Sequence, residues 1–328
     1  MSLAALWDVP APAKLNLFLH IIGRRPDGYH LLQSVFVLID WCDTLHFERR
    51  SDGRLQRHDL GPALPADDLS LRAARALQQA SGSPLGADLS ICKRVPWGAG
   101  LGGGSSDAAT TLLALNRLWG LHWSRERLQQ LALPLGADVP FFVGGHNAFV
   151  EGIGERLTPL PLRALPPQRY AVLKPAAGVA TADIFASPLR VTNTEAVIVM
   201  SFLAGAQTSQ FAGCLSQGYG KNDLQAAAQA ECPDIARVAD WLKLRYGNSR
   251  MSGSGSAVFA RVDEQSANTQ AGTHDSLTLT KALTKALTKA PPNMSPMAAA
   301  NWAEAIPPGW AGRMCRSLDQ HPLLGWAD

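Results

Sequence analysis

The 328-residue sequence contains no run of about 18 apolar residues, and its longest candidate, AVIVMSFLAGA, is too short to cross a bilayer. Charge is also scarce. Asp, Glu, Lys and Arg make up 17% of the chain and the formal net charge is +3, too small to argue for nucleic acid or an anionic membrane as partner. Cysteine is sparse and scattered: Cys42, Cys92, Cys214, Cys232 and Cys315 are odd in number and never spaced C-x-x-C. Neither a disulfide framework nor a zinc site is expected, and a reducing cytoplasm is the natural setting. The N-terminal MSLAALWDVPAPAKLNLFLH lacks the basic, apolar and small-residue order of a signal peptide, so none is expected. No G-x-x-x-x-G-K-[ST] loop occurs either.

Glycine, by contrast, is concentrated. In VPWGAGLGGGSSDAATTLLALN, residues 95–116, five of the seven positions 98–104 are glycine, and a helical apolar pattern follows. A run this dense marks backbone that must approach something closely. Gly98-x-Gly100-x-x-Gly103 formally fits the dinucleotide fingerprint, but that pattern requires an acidic residue closing a strand about twenty positions on. LWGLHWSRERLQQL fills that region and reads as helix, with Glu126 inside it, so the nicotinamide reading fails. Two readings remain. Either the loop packs a strand tightly on a helix, or its N–H groups and the positive helix end cradle phosphates, with Ser105 and Ser106 adding hydroxyls. A side chain at Gly102 or Gly103 is then expected to block phosphate while leaving the fold intact.

Local patterns place the other elements. AKLNLFLHII (13–22) alternates as a strand, with Ala13, Leu15, Leu17 and Leu19 on one face and Lys14, Asn16, Phe18 and His20 on the other. GRRPDGYH (23–30) reads as a turn-rich loop, SVFVLI (34–39) and DTLHFE (43–48) as two further strands, and LSICKRV (89–95) as another. Asp67-Asp68 is positioned to cap a helix running to about Gln79, and Ser105 or Ser106 to cap the helix whose stripe is Ala108, Leu112, Leu115 and Trp119. A shorter helix is expected over 124–132 and a strand at NAFVEG.

Pro159, Pro161, Pro166 and Pro167 crowd 158–168, which divides the chain into domains over 1–162 and 163–328. The second half reads as a strand at RYAVLKP, a helical turn capped by Thr181, and helices near 194–205 and 223–246, the latter broken at Pro233. MSGSGSAVFARV (251–262) forms a second glycine loop running into a strand. LTKALTKALTKA (279–290), a four-residue repeat within an insertion near 265–292, reads as a surface segment without catalytic meaning.

VPWGAGLGGGSSDAA resembles the central motif of the GHMP kinases, and MSGSGSAVFA resembles their third motif. PAPAKLNLFLHIIGRRPDGYHLLQSVF and GADVPFFV narrow the resemblance to the branch whose acceptor is 4-diphosphocytidyl-2-C-methyl-D-erythritol. It extends from about Pro10 to Ala260. The resemblance implies a two-domain α+β fold, with a left-handed βαβ unit in the N-terminal domain and a ferredoxin-like C-terminal domain. It implies transfer of the ATP γ-phosphoryl group, with Mg2+, to the 2-hydroxyl of that acceptor in the non-mevalonate route to isoprenoid precursors.

Carried over by residue, the resemblance makes Lys14 and Asp138 catalytic; from spacing alone, Asp138 before Pro140 reads equally as base or helix cap. It assigns the acceptor to Asn16, Tyr29, His30, Thr181 and Phe185, with Tyr29 and Phe185 on the two faces of the cytosine. It assigns ATP to Lys93, Pro96, Gly98, Gly100, Leu101, Gly102, Gly103, Gly104, Ser105, Ser106, Gly253 and Gly255. Ser106 and Asp138 are the magnesium candidates. Asp67-Asp68-Leu69 stands where the family pattern has Asp-Asn-Leu near the adenine, and an aspartate carboxylate accepts but cannot donate. The other readings are a GHMP kinase for a different alcohol and a GHMP-fold nucleotide-binding regulator; a regulator needs neither Lys14 nor Asp138.

Overall fold

The computed structural model describes residues 3–197, 221–262, 302 and 305–327. The leucine repeat, Cys214 and most of the helix expected over 194–205 lie outside these residues, and 194–197 are not helical. Two sheets carry the described chain.

The first sheet is built on two long strands, β1 (Ala5–Arg24) and β2 (His30–Arg50), paired antiparallel. The two strands expected over 34–39 and 43–48 are therefore one, because the paired β1 continues past Trp41 and Cys42. β2 also pairs β4 (Gly86–Cys92) and β5 (Ala148–Gly152), with β3 (Leu55–Asp59) and β6 (Arg156–Pro159) at the edges. β3 and β4 are parallel and joined through α1 (Leu69–Ser81), a βαβ unit. Asp68 caps α1 as expected, its carboxylate accepting from the Leu71 N–H at 3.1 Å.

The second sheet has the order β10-β7-β9-β8, with β7 at Arg169–Lys174, β8 at Arg250–Met251, β9 at Val258–Val262 and β10 at Ala311–Arg316. Its pairings are antiparallel.

Strand periodicity sorts the apolar side chains into three cores. On β2, Phe36 and Leu38 join a core formed with α1, α2 (Gly103–Leu118), α3 (Arg125–Ala132) and α4 (Val139–Gly144). Val35, Val37 and Ile39 face the other way and meet Tyr170 and Val172 of β7. The alternate β7 residues, Ala171 and Leu173, pack on α6 (Gln225–Glu231) and α7 (Pro233–Tyr246). The break at Pro233 is as expected, with proline at the first turn of the second helix.

β1 serves all three cores because its register shifts at Pro12/Ala13 and at Asn16/Leu19. Val9 and Ala11 join the helical core, Ala13 and Leu15 the core between the sheets, and Leu19 and Ile21 the third. Each shift changes which parity faces which layer. The simple alternation expected over 13–22 consequently fails at Phe18, which packs with Ala13 and Leu15 rather than siding with Lys14 and Asn16.

The C-terminal residues return to the first sheet. The Leu318 N–H donates to the Leu38 carbonyl at 2.8 Å, and the Arg125 guanidinium donates to the carbonyls of Leu324 and Ala327.

Candidate active site

Between the shifts at Pro12/Ala13 and Asn16/Leu19, β1 presents Lys14 and Asn16 to the helical side. The Lys14 Nζ donates to Asn16 Oδ1 at 2.6 Å and stands 4.5 Å from the centroid of the Phe36 ring. It lies 3.4 Å from Asp138 Oδ2, its ion-pair partner. Lys14 is 3% exposed while the Asp138 side chain is 29% exposed, so the contact is screened only from the carboxylate side. Asp138 precedes α4 but its side chain makes no capping hydrogen bond, and the carboxylate remains available to the cavity.

Asn16 is held on every side. Its Nδ2 donates to Ser34 Oγ at 3.0 Å, and its backbone N–H donates to Ser252 Oγ at 3.1 Å. Ser252 Oγ in turn donates to the Gly100 carbonyl at 3.0 Å. Asn222 supports the second glycine loop, its Nδ2 reaching the carbonyls of Met251 and Gly253 at 2.8 and 2.7 Å. The glycine run also adds to the edge of β1, where the Lys14 N–H donates to the Leu101 carbonyl at 2.9 Å.

The glycines serve mutual contact as well as ligand access. Ser256 and Ala257 N–H groups donate to the carbonyls of Gly98 and Ala99 at 3.2 and 3.0 Å. A Cβ on Gly102 would stand 2.9 Å from the Phe142 ring and 3.2 Å from Lys14 Cγ, and one on Gly103 would stand 3.0 Å from Val95 Cγ1. The expectation that side chains there would spare the fold is therefore wrong.

The N-cap of α2 is Gly102, at φ 70°, rather than Ser105 or Ser106. Ser106 is already in the helix, its N–H donating to the Gly102 carbonyl at 2.9 Å, while its Oγ is buried without a partner. Only glycine takes that left-handed cap at low cost, and so the helix begins earlier than side-chain capping rules suggest.

Two cavities meet at this loop. One, of about 800 Å³, is lined by Lys14, Asn16, Asp138, Thr181, Gly253 and Gly255, and also by Tyr29, His30 and Phe185, with His30 paired to Arg24 at the opposite end of β1 from Lys14. The other, of about 400 Å³, is lined by Asp68, Lys93, Pro96, Trp97, Leu101, Gly103, Gly104 and Ser105. Gly98, Gly100 and Gly102 border both. A triphosphate entering the smaller cavity would thus deliver its last phosphate beside Lys14 and Asp138.

At the far end, the His30 and Phe185 rings stack at 5.5 Å and 29°, and Tyr29 is 61% exposed. Phe185 thus has His30 as its ring neighbour. His30 Nε2 accepts from Arg190 Nε at 3.1 Å; burial, then Arg190 and Arg24, lowers its pKa and favours the neutral ring. Thr181 does not cap its helix, α5 (Thr181–Ala186), whose N-cap is Ala180; its hydroxyl meets Ser254 Oγ at 2.8 Å.

Lys93 borders the smaller cavity but is committed elsewhere. Its Nζ lies between Asp43 and Asp107, 2.6 Å from Asp107 Oδ2. Asp43 also accepts from the Arg94 and Val95 N–H groups and so fixes the entry to the glycine run. Burial alone would lower the Lys93 ammonium, but Asp107 and Asp43 outweigh it and raise its pKa. Burial pushes the Asp107 carboxyl well up, and the competing charge of Asp43 adds to the shift. Sequence reasoning missed Asp43, Asp107, Ser34, Ser252 and Asn222 as supports. Asp107, Ser34 and Ser252 lay inside marked motifs, but nothing local to them signalled a supporting role. Asp68, besides capping α1, pairs with Arg57 at 2.9 Å, which occupies one of its acceptor oxygens.

Among the described residues, no group of three or more His, Cys, Asp or Glu side chains is arranged to hold a metal, and no helix is long and apolar enough to cross a membrane.

Known proteins resemble the chain over its whole length. Residues 68–146 match the GHMP kinases N terminal domain and residues 209–272 the GHMP kinases C terminal family. The 4-diphosphocytidyl-2-C-methyl-D-erythritol kinase of Methylibium petroleiphilum is 61% identical over 327 residues, covering 100% of both chains. That of Verminephrobacter eiseniae is 50% identical over 98% of both. A crystal structure of 4-(cytidine 5'-diphospho)-2C-methyl-D-erythritol kinase superposes with a TM-score of 0.64 at 38% identity, covering 78% of this chain and 89% of that one. A mevalonate kinase structure superposes at TM-score 0.63 with 12% identity, a likeness of fold alone.

Proposed function

The chain belongs to the 4-diphosphocytidyl-2-C-methyl-D-erythritol kinases, a branch of the GHMP kinases, and we propose that Lys14 and Asp138 carry out that branch's phosphoryl transfer in the larger cavity. The protein is an ATP-dependent small-molecule kinase acting on the 2-hydroxyl of 4-diphosphocytidyl-2-C-methyl-D-erythritol. The observation that carries the assignment of residues is the ion pair of buried Lys14 with half-buried Asp138, beside the glycines that border both cavities.

Asp138 accepts the proton of the attacking hydroxyl as the new bond to the γ-phosphorus forms. The bond from that phosphorus to the bridging oxygen breaks, and ADP leaves with the electron pair. Lys14 fixes the Asp138 carboxylate and faces the charge that accumulates on the transferring oxygens. Asn16, locked by Ser34 and Ser252, orients the erythritol hydroxyls. Tyr29, His30 and Phe185, far along the same cavity, receive the cytosine, which implies that the His30–Phe185 stack opens to admit it. The glycine run and Gly253 and Gly255 take the phosphates, and the smaller cavity takes the adenosine.

Magnesium fits this donor set: Asp138 offers a carboxylate, and the Ser106 hydroxyl is buried without another partner. With most of its ligands supplied by phosphate and water, as is usual for this ion, it would neutralise the β- and γ-phosphate charge. Division of the chain at about residue 162, and a cytoplasmic setting, complete the proposal.

The test is turnover with ATP–magnesium and four acceptors in separate incubations: the cytidyl diphospho-erythritol, mevalonate, homoserine and galactose. ADP release with the first alone is expected. Faster turnover of another alcohol would reassign the acceptor, and ATP binding without turnover would favour the regulator.

A further inference from the structure

Away from the active site, a cavity of about 580 Å³ opens where the edge of the second sheet meets the first. Its apolar walls include Leu17, Val37, Tyr170 and Phe259, side chains from the rim of the core between the sheets. Its polar lining includes Gln225, Gln229 and Arg250, with Asp240, Lys243 and Arg261 as its other charged members. A space of this size and mixed lining is typical of small-ligand pockets.

Arg250 is the unusual member. Its Nη1 donates to the Leu17 carbonyl, and among the described residues no carboxylate lies within ion-pair distance. Burial lowers its pKa, and no opposing acid acts on it. A guanidinium offers five donors in a rigid fork suited to carboxylate or phosphate, and here one carbonyl satisfies only part of that capacity. Gln225 uses its Oε1 to accept from the Met251 N–H at 3.0 Å, leaving its amide NH2 on the same wall. The cavity's other charged residues are the exposed Asp240 and Lys243 on α7 and the half-buried Arg261 on β9, and among the described residues no acid pairs with Arg250.

We propose that this cavity is a second ligand site, taking a small amphipathic anion whose phosphate or carboxylate head pairs with Arg250 and whose hydrocarbon body lies against Leu17, Val37, Tyr170 and Phe259. The site is joined to the catalytic machinery at both ends of Arg250. Leu17 follows Asn16 on β1, and Arg250 leads through β8 to Ser252, which bonds Asn16 and Gly100. A head group that draws Arg250 off the Leu17 carbonyl therefore loosens the support of Asn16, and turnover falls without competition for either substrate.

Calorimetry with hexyl phosphate, inorganic phosphate and hexanol as separate probes tests the site, with ATP and CDP present at saturation to occupy the active site. Hexyl phosphate is expected to bind at least tenfold more tightly than either fragment-like probe. Arg250→Met should weaken it at least tenfold and Arg250→Lys less. Gln229→Trp, which narrows the opening without touching Arg250, should weaken it while leaving uninhibited turnover near wild type; it also keeps the test decisive if Arg250→Met fails to fold. In kinetics, hexyl phosphate should lower kcat with the KM of both substrates little changed. Equal binding of all three probes, binding indifferent to both Arg250→Lys and Gln229→Trp, or loss of hexyl phosphate binding on saturation with ATP and CDP would each overturn the proposal.

Discussion

Gly100 and Ser252 touch backbone to backbone: a Cβ on Gly100 would overlap the Ser252 carbonyl oxygen. The two glycine loops, far apart in sequence, thus form one unit, and Ser252 extends it to Asn16. Gly100 also sits at φ 70°, which L side chains rarely adopt. Gly100→Ala must separate the loops, and we expect it to lower stability by more than about 2 kcal/mol and ATP affinity with it. Gly98→Ala is the control. It has a similar φ of 56° but nothing within 4 Å of an added Cβ, so only backbone strain of about 1–2 kcal/mol is expected. Urea midpoints that coincide for the two variants would show that the loops are independent.

Asp43→Asn and Asp107→Asn each replace one carboxyl of the same buried cluster by an amide, yet their costs should differ. Asp43 accepts from Lys93 and from two backbone N–H groups, so its loss leaves an ammonium facing an amide donor and loosens the strand leading to the glycines. About 3–5 kcal/mol is expected, the usual scale for breaking a buried pair. Burial already favours the neutral form of Asp107, so Asp107→Asn should cost roughly 1 kcal/mol at pH 7. Denaturation of both variants at that pH decides it; the opposite order would mean that Asp107 carries the permanent charge.

Acid sensitivity should be traceable to His321. It is buried, its Nδ1 accepts from the Leu323 N–H at 3.0 Å, and burial, then Arg125, lowers its pKa to about 3. The folded ring stays neutral while the unfolded one titrates near its ordinary value of 6.5. Its stabilising contribution is therefore complete above that value and is lost as pH falls from there towards about 3, at up to about 1.4 kcal/mol per pH unit. His321→Asn keeps an acceptor for Leu323 and removes the titration. Thermal melts between pH 7 and 5 should show a shallower decline for the variant; parallel declines would place the acid sensitivity elsewhere.

Much of this site was legible in the sequence where the signal is local. Period-two spacing placed Lys14 and Asn16 side by side, and the backbone cost of glycine marked the loop before anything was known of its contacts. Long-range relationships left no such mark. Nothing in PAPAKLNLFLH signals two register shifts, so the side taken by Phe18 was misread. Asp43 looks like any strand-end aspartate until the fold brings Lys93 and Asp107 to it. The cap of α2 was misassigned because the serines satisfy a local rule, whereas a tertiary contact with Phe142 and Lys14 requires glycine at 102.

Tyr29→Ala should raise the KM for the cytidine-bearing acceptor more than it lowers kcat. Tyr29 lies at the end of the cavity remote from Lys14 and Asp138, and stacking on a distant base holds ground and transition states alike. A loss of roughly 1–3 kcal/mol in binding is expected, with the KM for ATP unchanged. An effect confined to ATP would move this aromatic to the adenine side.

The Lys14–Asp138 pair separates a kinase from a binding protein of the same fold. Asp138→Asn keeps the size of the side chain and its ability to accept from Lys14, but removes the charge and the basicity. If Asp138 takes the hydroxyl proton, kcat should fall by roughly 10²–10⁴-fold. Acceptor and ATP affinities should change far less, because the proposed cytosine and phosphate contacts fall to other residues. Stability should hardly move, since the carboxylate makes no capping bond that the amide would lose. Lys14→Met should reproduce the loss of turnover, and a double variant should be little worse than either single one, because groups acting as a unit are not additive. Lys14→Met carries one structural risk that Asp138→Asn does not: it abandons the 2.6 Å bond to Asn16 Oδ1 inside the protein. A circular dichroism melt on each variant distinguishes that cost from catalysis. Full turnover by a well-folded Asp138→Asn protein would remove the proton acceptor from the mechanism and leave Lys14 as a support for Asn16.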